Sequence, residues 1–247
     1  MNHSSHSLRR ARQIGYVLVA VLVAAVAILP MFPSPKVNYV LSLLMQIMLF
    51  IYLAQAWNIA GGFAGLFSLG HSAFFGLGAY SYAVGVSKYG LDPAICLAIG
   101  MALAGALGVV TAIISTRLSG MFFAMVTLGL NEILLNMASQ MSWLTNGDAG
   151  AYLRKQFTIT PQTAHYAILA MCIAIFAVAA LVRHSKLGTI AVALKENEAF
   201  ARALGVNPAP WKIAIVVISA VATAIGGSFF AMYQGIVAPS MVFSFSV

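Results

Sequence analysis

The sequence predicts an all-α fold, a polytopic bundle of membrane helices with about seven spans. Hydrophobic residues make up 62% of the 247 positions and charged residues only 7%, and the mean hydropathy is +0.95. Uncharged stretches recur at 14–31, 37–87, 93–116, 118–131, 156–182 and 213–247. A soluble domain carries roughly a quarter of charged residues, whereas a helix needs about 20 apolar residues to cross roughly 30 Å of hydrocarbon. No soluble domain fits between the stretches, so 1–247 reads as one transmembrane domain.

The first span, 14–31, follows Arg9, Arg10 and Arg12. It reads as an uncleaved helix, because "PMFPSPK" after it offers no small-x-small cleavage pattern. Residues 37–87 carry no charge, and two crossings there leave roughly ten residues for a connection. The breaker-rich "GGFAGLFSLGH", 61–71, is the place for it. That puts His71 at or near a turn.

Orientation supports this division. With a crossing over 72–87, Arg9, Arg10, Arg12, Arg117, Arg183, Lys186, Lys195, Arg202 and Lys212 share one side, against Lys36, Lys88, Arg154 and Lys155. Cytoplasmic loops hold the excess of Lys and Arg, so the N-terminus is expected in the cytoplasm. The remaining spans centre on 38–60, 72–87, 93–115, 120–140, 164–182 and 212–236. Gly100, Ala104 and Gly108, and again Ser219, Thr223, Gly227 and Ala231, recur every fourth residue. Such faces let helix backbones approach closely.

The net charge of +8 reflects topology rather than nucleic-acid binding. Cys96 and Cys172 both lie in apolar spans, which leaves no disulfide framework or metal motif. The outer loop, 141–163, carries Trp143, Asn146, Gly147, Asp148, Arg154 and Lys155. The inner loop, 183–211, is the most charged part of the chain. In it, Thr189 is a candidate N-cap and Gly205 a candidate stop, with Pro208 and Pro210 beyond. The expected helix places Ile190, Leu194, Ala201 and Leu204 on one face, and Glu198 and Arg202 as an i,i+4 pair on another.

Three stretches carry a family resemblance. "LGTIAVALKENEAFARALGVNPAPWKIAIVVISAVATAIGGSFFAMYQGIVAP" resembles the coupling-loop region of permease subunits of ATP-binding-cassette importers for branched-chain amino acids, the LivM-type branch. "AWNIAGGFAGLFSLGHSAFFGLGAY" resembles that family's early signature, and "GMFFAMVTLGLNEIL" with "TNGDAG" its middle section. The resemblance implies a bacterial inner-membrane permease without catalytic site or cofactor. It would pair with a second, related but distinct permease subunit, two cytoplasmic ATPases and a periplasmic substrate-binding protein. Glu198, Ala199, Ala201, Arg202 and Gly205 match the motif seated in the ATPase. Family members continue with further apolar spans, so the C-terminal spans are expected to be missing here. A natural short form, a truncated product and an inactive copy all fit.

The chemistry available is sparse. Glu132 is the one acidic residue inside an expected span, and an intramembrane ionisable group is a functional candidate by default. It is either a pathway group or a partner of Asn131, Asn136 or a neighbouring subunit. Ser68 and His71 lie in G-x-x-S-x-G rather than G-x-S-x-G, with no third group to orient the histidine. No metal motif and no phosphate-binding loop occurs, so any ATP must be bound by another chain. Asn58, Ser68, His71, Tyr80, Thr127 and Glu132 are the candidate pathway residues. The 61–71 connection is expected to pack inside protein, with Ser72 capping the next helix and Ser68 and His71 bonding freed backbone groups. Importers of urea or short amides, and a stand-alone secondary transporter using Glu132, are the alternative functions.

Overall fold

The computed structural model describes residues 30, 35–118, 120–154 and 158–243, with backbone only for 35–38. Helices dominate: α1 (Pro35–Asn58), which runs on into a π-turn (Ile59–Phe63), α2 (His71–Ser87), α3 (Pro93–Ser115), α4 (Gly120–Gln140), the short α5 (Ser142–Thr145), α6 (Pro161–His184), α7 (Lys186–Glu196), α8 (Glu198–Ala203), α9 (Pro208–Gln234) and the short α10 (Pro239–Val242). Five helical segments among the described residues are long and apolar enough to cross a membrane. The chain is a polytopic helical membrane protein. α2 has 17 residues, about 25 Å at 1.5 Å per residue, and is shorter than the five. The expected first span falls almost wholly outside the described residues, and with it the placement of the N-terminus.

Element boundaries follow local chemistry. Asp92 caps α3 through the Ala94 N–H, Thr160 caps α6 through the Thr163 N–H, and Asn207 caps α9 through the Ala209 N–H, each followed directly by proline. Proline suits this first helical position because its missing N–H would have no intrahelical partner.

α9 is the central helix. Its most apolar 18 residues are 61% buried, against 28–33% in the other four long segments. It packs against α2 and α3 on one side and against α1 on another, while α1 also packs on α6. The small-residue faces do what their spacing predicts. A Cβ on Gly227 would lie 2.0 Å from the Phe75 carbonyl oxygen, and one on Gly78 the same distance from that of Ala224. Backbone therefore touches backbone at the α2–α9 crossing, and Ser228 Oγ donates to the Gly78 carbonyl there at 3.0 Å.

The outer loop has structure of its own. β1 (Ala151–Tyr152) pairs antiparallel with β2 (Ile236–Val237), tying the loop to the far end of α9. Lys88 lies 5.5 Å from the Trp143 ring centroid and donates to the Trp143 carbonyl. Lys155 lies outside the described residues.

The inner loop corrects one expectation. In place of one helix from Thr189 to Gly205 there are two, α7 capped by Ser185 and α8 capped by Asn197, whose extended backbone separates them. Ser185 wins over Thr189 because it ends α6 in an extended conformation and can accept from the Gly188 N–H. Thr189 is already helical and donates back to the Ser185 carbonyl.

Candidate functional site

The connection between α1 and α2 is a re-entrant segment. After the π-turn, Gly65 at φ +68° reverses the chain, and 66–70 return alongside α1. Trp57 Nε1 donates to the Ser68 carbonyl at 3.0 Å. The Leu69 N–H donates to Thr127 Oγ1 at 3.1 Å, and the Gly70 N–H to Ser68 Oγ at 3.2 Å. Irregular backbone is tolerated at membrane depth only where protein or a watery cavity satisfies it, and these side chains do so. Ser68 plays its expected part.

His71 opens α2. Its Nε2 lies 2.9 Å from Ser219 Oγ, and Ser219 donates to the Ala56 carbonyl at 2.7 Å. A hydroxyl has one hydrogen, so Nε2 carries the proton in the His71–Ser219 bond. The expected bond from His71 to a freed backbone group does not form: Nε2 meets a side-chain hydroxyl, and Nδ1 is buried without a hydrogen-bond partner. Ser219 is eleven residues beyond Pro208 in α9, about 16 Å along its axis. The N-terminus of α2 thus starts inside the bundle and not at its rim.

One expectation about this turn is corrected. Gly70 occupies the N-cap position of α2 without a side-chain cap, and Ser72 Oγ donates to Asn131 Oδ1 at 2.8 Å. Asn131 Nδ2 donates in turn to the Phe243 carbonyl at 2.8 Å. A partner on the neighbouring helix takes the hydroxyl that local spacing assigns to the cap.

These elements border a half-open cavity of about 620 Å³. Its wall is mostly apolar, with Phe50, Leu53, Trp57 and Phe75 prominent, and its polar groups come from Ser68, His71, Ser72 and Thr223. Of the six candidate pathway residues, Ser68 and His71 line it. Thr127 is buried immediately behind, holding Leu69. Asn58 bonds Gln55 at the end of α1, and Tyr80 is buried elsewhere, stacked on Phe243 with ring centroids 5.9 Å apart. Glu132 is on the exposed face of α4 and does not line the cavity, and Asn136 bonds its backbone carbonyl rather than its carboxylate. Trp57 and Thr223 were not among the expected residues. The i+4 relation of Thr223 to Ser219 is the signal that points to the lining position.

A second constellation lies at the inner loop. Glu198 Oε1 pairs with Arg202 at 2.8 Å, as its spacing predicts, and Oε2 pairs with Lys212 at 2.7 Å. Lys212, only 5% exposed, also donates to the Ser115 carbonyl at the end of α3 at 3.2 Å. Burial acts to raise the Glu198 pKa, but hydrogen bonds and charge from Lys212 and Arg202 outweigh it and hold the carboxyl below its ordinary value. Ala201 is buried, while Ala199 and Arg202 face outward and Gly205 ends the segment at φ +85°. Leu204, expected on one face with Ile190, Leu194 and Ala201, is 69% exposed while Leu194 and Ala201 are buried, and Phe200 is 63% exposed. The break at Asn197 turns α8 relative to α7, so one continuous apolar face does not form.

The described residues form a multi-pass helical membrane protein with an inward-placed helix start, a cavity beside it and a charged segment within 183–211. The chain belongs to the family of permease components of branched-chain amino acid transport systems, which matches residues 39–247. The high-affinity branched-chain amino acid transport system permease protein LivM of Escherichia coli (strain K12) is 29% identical over 252 aligned positions, covering 90% of this chain and 58% of that protein. The protein of the same name from Salmonella typhimurium (strain LT2) is 27% identical over the same coverage. The chain thus spans a little over half the length of these relatives. No solved structure gives a significant match.

Proposed function

We propose that this chain is the permease subunit of an ATP-binding-cassette importer in a bacterial inner membrane, carrying branched-chain or related amino acids. It works with a second permease subunit, cytoplasmic ATPases and a periplasmic binding protein, and hydrolyses no ATP itself. The observation that carries this reading is the inner segment of a family permease. α8 presents Phe200 and Leu204 outward while Glu198 anchors its other side to Lys212. An apolar pair left exposed on a helix that is otherwise pinned suits insertion into a groove of a partner protein.

The cavity supports the choice of cargo. Its aromatic and aliphatic wall suits a branched side chain, and the N-terminus of α2 favours the substrate carboxylate, since the first turn carries partial positive charge. Urea and short amides fit this apolar wall less well. The secondary-transporter reading assigns the coupling carboxylate to Glu132, which lies off the cavity.

The test is uptake of labelled leucine against labelled urea in a strain lacking its own systems, with the chain expressed beside its partner subunits. ATP-dependent leucine uptake is expected. Urea uptake without leucine uptake overturns the cargo, and uptake by this chain alone without ATP overturns the importer.

A further inference from the structure

Besides the apolar packing of α7 on α6 and α9, the inner segment is tied to the membrane part by two separate polar contacts. α8 is clamped through Glu198 to Lys212 at the foot of α9 and, through Lys212, to the end of α3. α7 makes a different contact, since Lys195 Nζ donates to the Gly62 carbonyl at 3.0 Å. Gly62 belongs to the π-turn, where the regular α-helical ladder of α1 has ended. The lysine stem is fitted as well as its charge: a Cβ on Gly65, two residues past the turn, would lie 2.8 Å from Lys195 Cγ. Gly65 also needs its positive φ, so the reversal of the chain and the seat of Lys195 are one structure.

Beyond that seat the re-entrant segment leads directly into the cavity wall. Three to seven residues after Gly65 come Ser68, Leu69, His71 and Ser72, all lining the cavity. The contact is made by a charged donor to a carbonyl oxygen at the exposed end of the segment. The re-entrant segment, by contrast, is held to the bundle by neutral bonds at Trp57, Thr127 and Ser219.

We propose that Lys195 is the positioning residue through which movement of the inner segment reaches the cavity, by carrying the π-turn and the re-entrant segment with α7. The extended residue Asn197 is the joint. It separates α7, which grips the π-turn and also packs on α6 and α9, from α8, which is clamped to α9 through Lys212. The inference rests on the importer reading above and assigns the element of the pathway that the inner segment moves.

The experiment uses the permease assembled with its partner subunit and ATPase in proteoliposomes, and compares wild type with Lys195→Met and Lys195→Arg. Met keeps the stem against Gly65 and removes the charged donor, whereas Arg restores a donor. The readout is labelled leucine taken up per ATP hydrolysed. Met is expected to retain assembly and ATP hydrolysis while this ratio falls about fivefold or more, the lower range for an energetic coupling between sites, and Arg to recover part of it. A second readout is the rate at which a maleimide labels a Leu69→Cys reporter with Cys96 and Cys172 replaced. Trapping the ATPase with ATP and vanadate is expected to change that rate in wild type and not in the Met variant. An unchanged ratio in Met overturns the proposal, and so does loss of ATPase co-purification in Met, which makes Lys195 a docking residue. ATP-independent uptake in wild type overturns the importer reading itself.

Discussion

His71 Nε2 and Ser219 Oγ are 2.9 Å apart, and this bond pins the first residue of α2 to the middle of α9. Because Ser219 passes its own hydrogen to the Ala56 carbonyl, a single chain of two hydrogen bonds joins three helices beside the cavity. His71 is thereby a structural tie and a lining group at once.

The first prediction separates those roles. Interhelical hydrogen bonds in membranes contribute about 0.6 kcal/mol on average, so His71→Ala is expected to fold and to lower the melting temperature by only a few degrees. Leucine uptake by the assembled importer is expected to drop well beyond that small change. Normal uptake by the folded variant would leave the tie and remove the lining role.

Glu198 neutralises a lysine that is almost fully buried. Glu198→Gln removes the charge opposite Lys212 while keeping an amide oxygen as acceptor, at an expected cost of roughly 1–2 kcal/mol. This is below the range for a fully buried pair, because the glutamate is partly exposed. Combining it with Lys212→Met is expected to recover part of the loss in a thermal melt. Additive losses in the double variant would show that the two side chains act independently.

Acid should loosen the same clamp. The folded Glu198 carboxyl sits below its ordinary value of 4.5. Its contribution is therefore complete above about pH 4.5 and disappears as pH falls through the lower folded value. Melting curves of wild type and Glu198→Gln are expected to run parallel from pH 8 to 5 and to converge at lower pH. Curves that stay parallel into acid would contradict the assignment.

Backbone contact at the α2–α9 crossing leaves no room for a side chain. Gly227→Leu and Gly78→Leu are each expected to cost at least about 3 kcal/mol, at the upper end of overpacking effects, and to yield little folded protein on size-exclusion chromatography. Gly129→Leu, with nothing within 4 Å of its Cβ, is the control and is expected to fold.

Charge placed on α8 tests the docking face. Phe200→Asp and Leu204→Asp alter exposed side chains, so the melting temperature of the permease alone is expected to stay within a degree or two. Co-purification of the ATPase is expected to fall at least tenfold. Retention of the ATPase by both variants would move the docking surface elsewhere.

Much of this organisation is legible in local sequence. Span positions at 93–115 and 120–140 coincide with α3 and α4, because hydropathy and proline or glycine boundaries act over one helix length. The interruption at 61–71 is legible for the same reason, as is the Glu198–Arg202 pair, which is fixed by helical repeat alone. The small-residue faces are likewise visible, although the helices they meet are not.

What the sequence by itself determined is thus where helices run, where they break and which loop carries charge. Only the tertiary structure decided that Asn131 turns inward to Ser72 while its neighbour Glu132 turns outward. The same holds for Lys212 reaching back 14 residues to Glu198, and for Lys195 gripping a carbonyl 133 residues away. Adjacent helical residues point about 100° apart, so a small rotation of one helix exchanges which polar group faces the interior. For α4 that rotation is set by packing against α2 and the short α10, through contacts between residues far apart in the chain that no local period encodes.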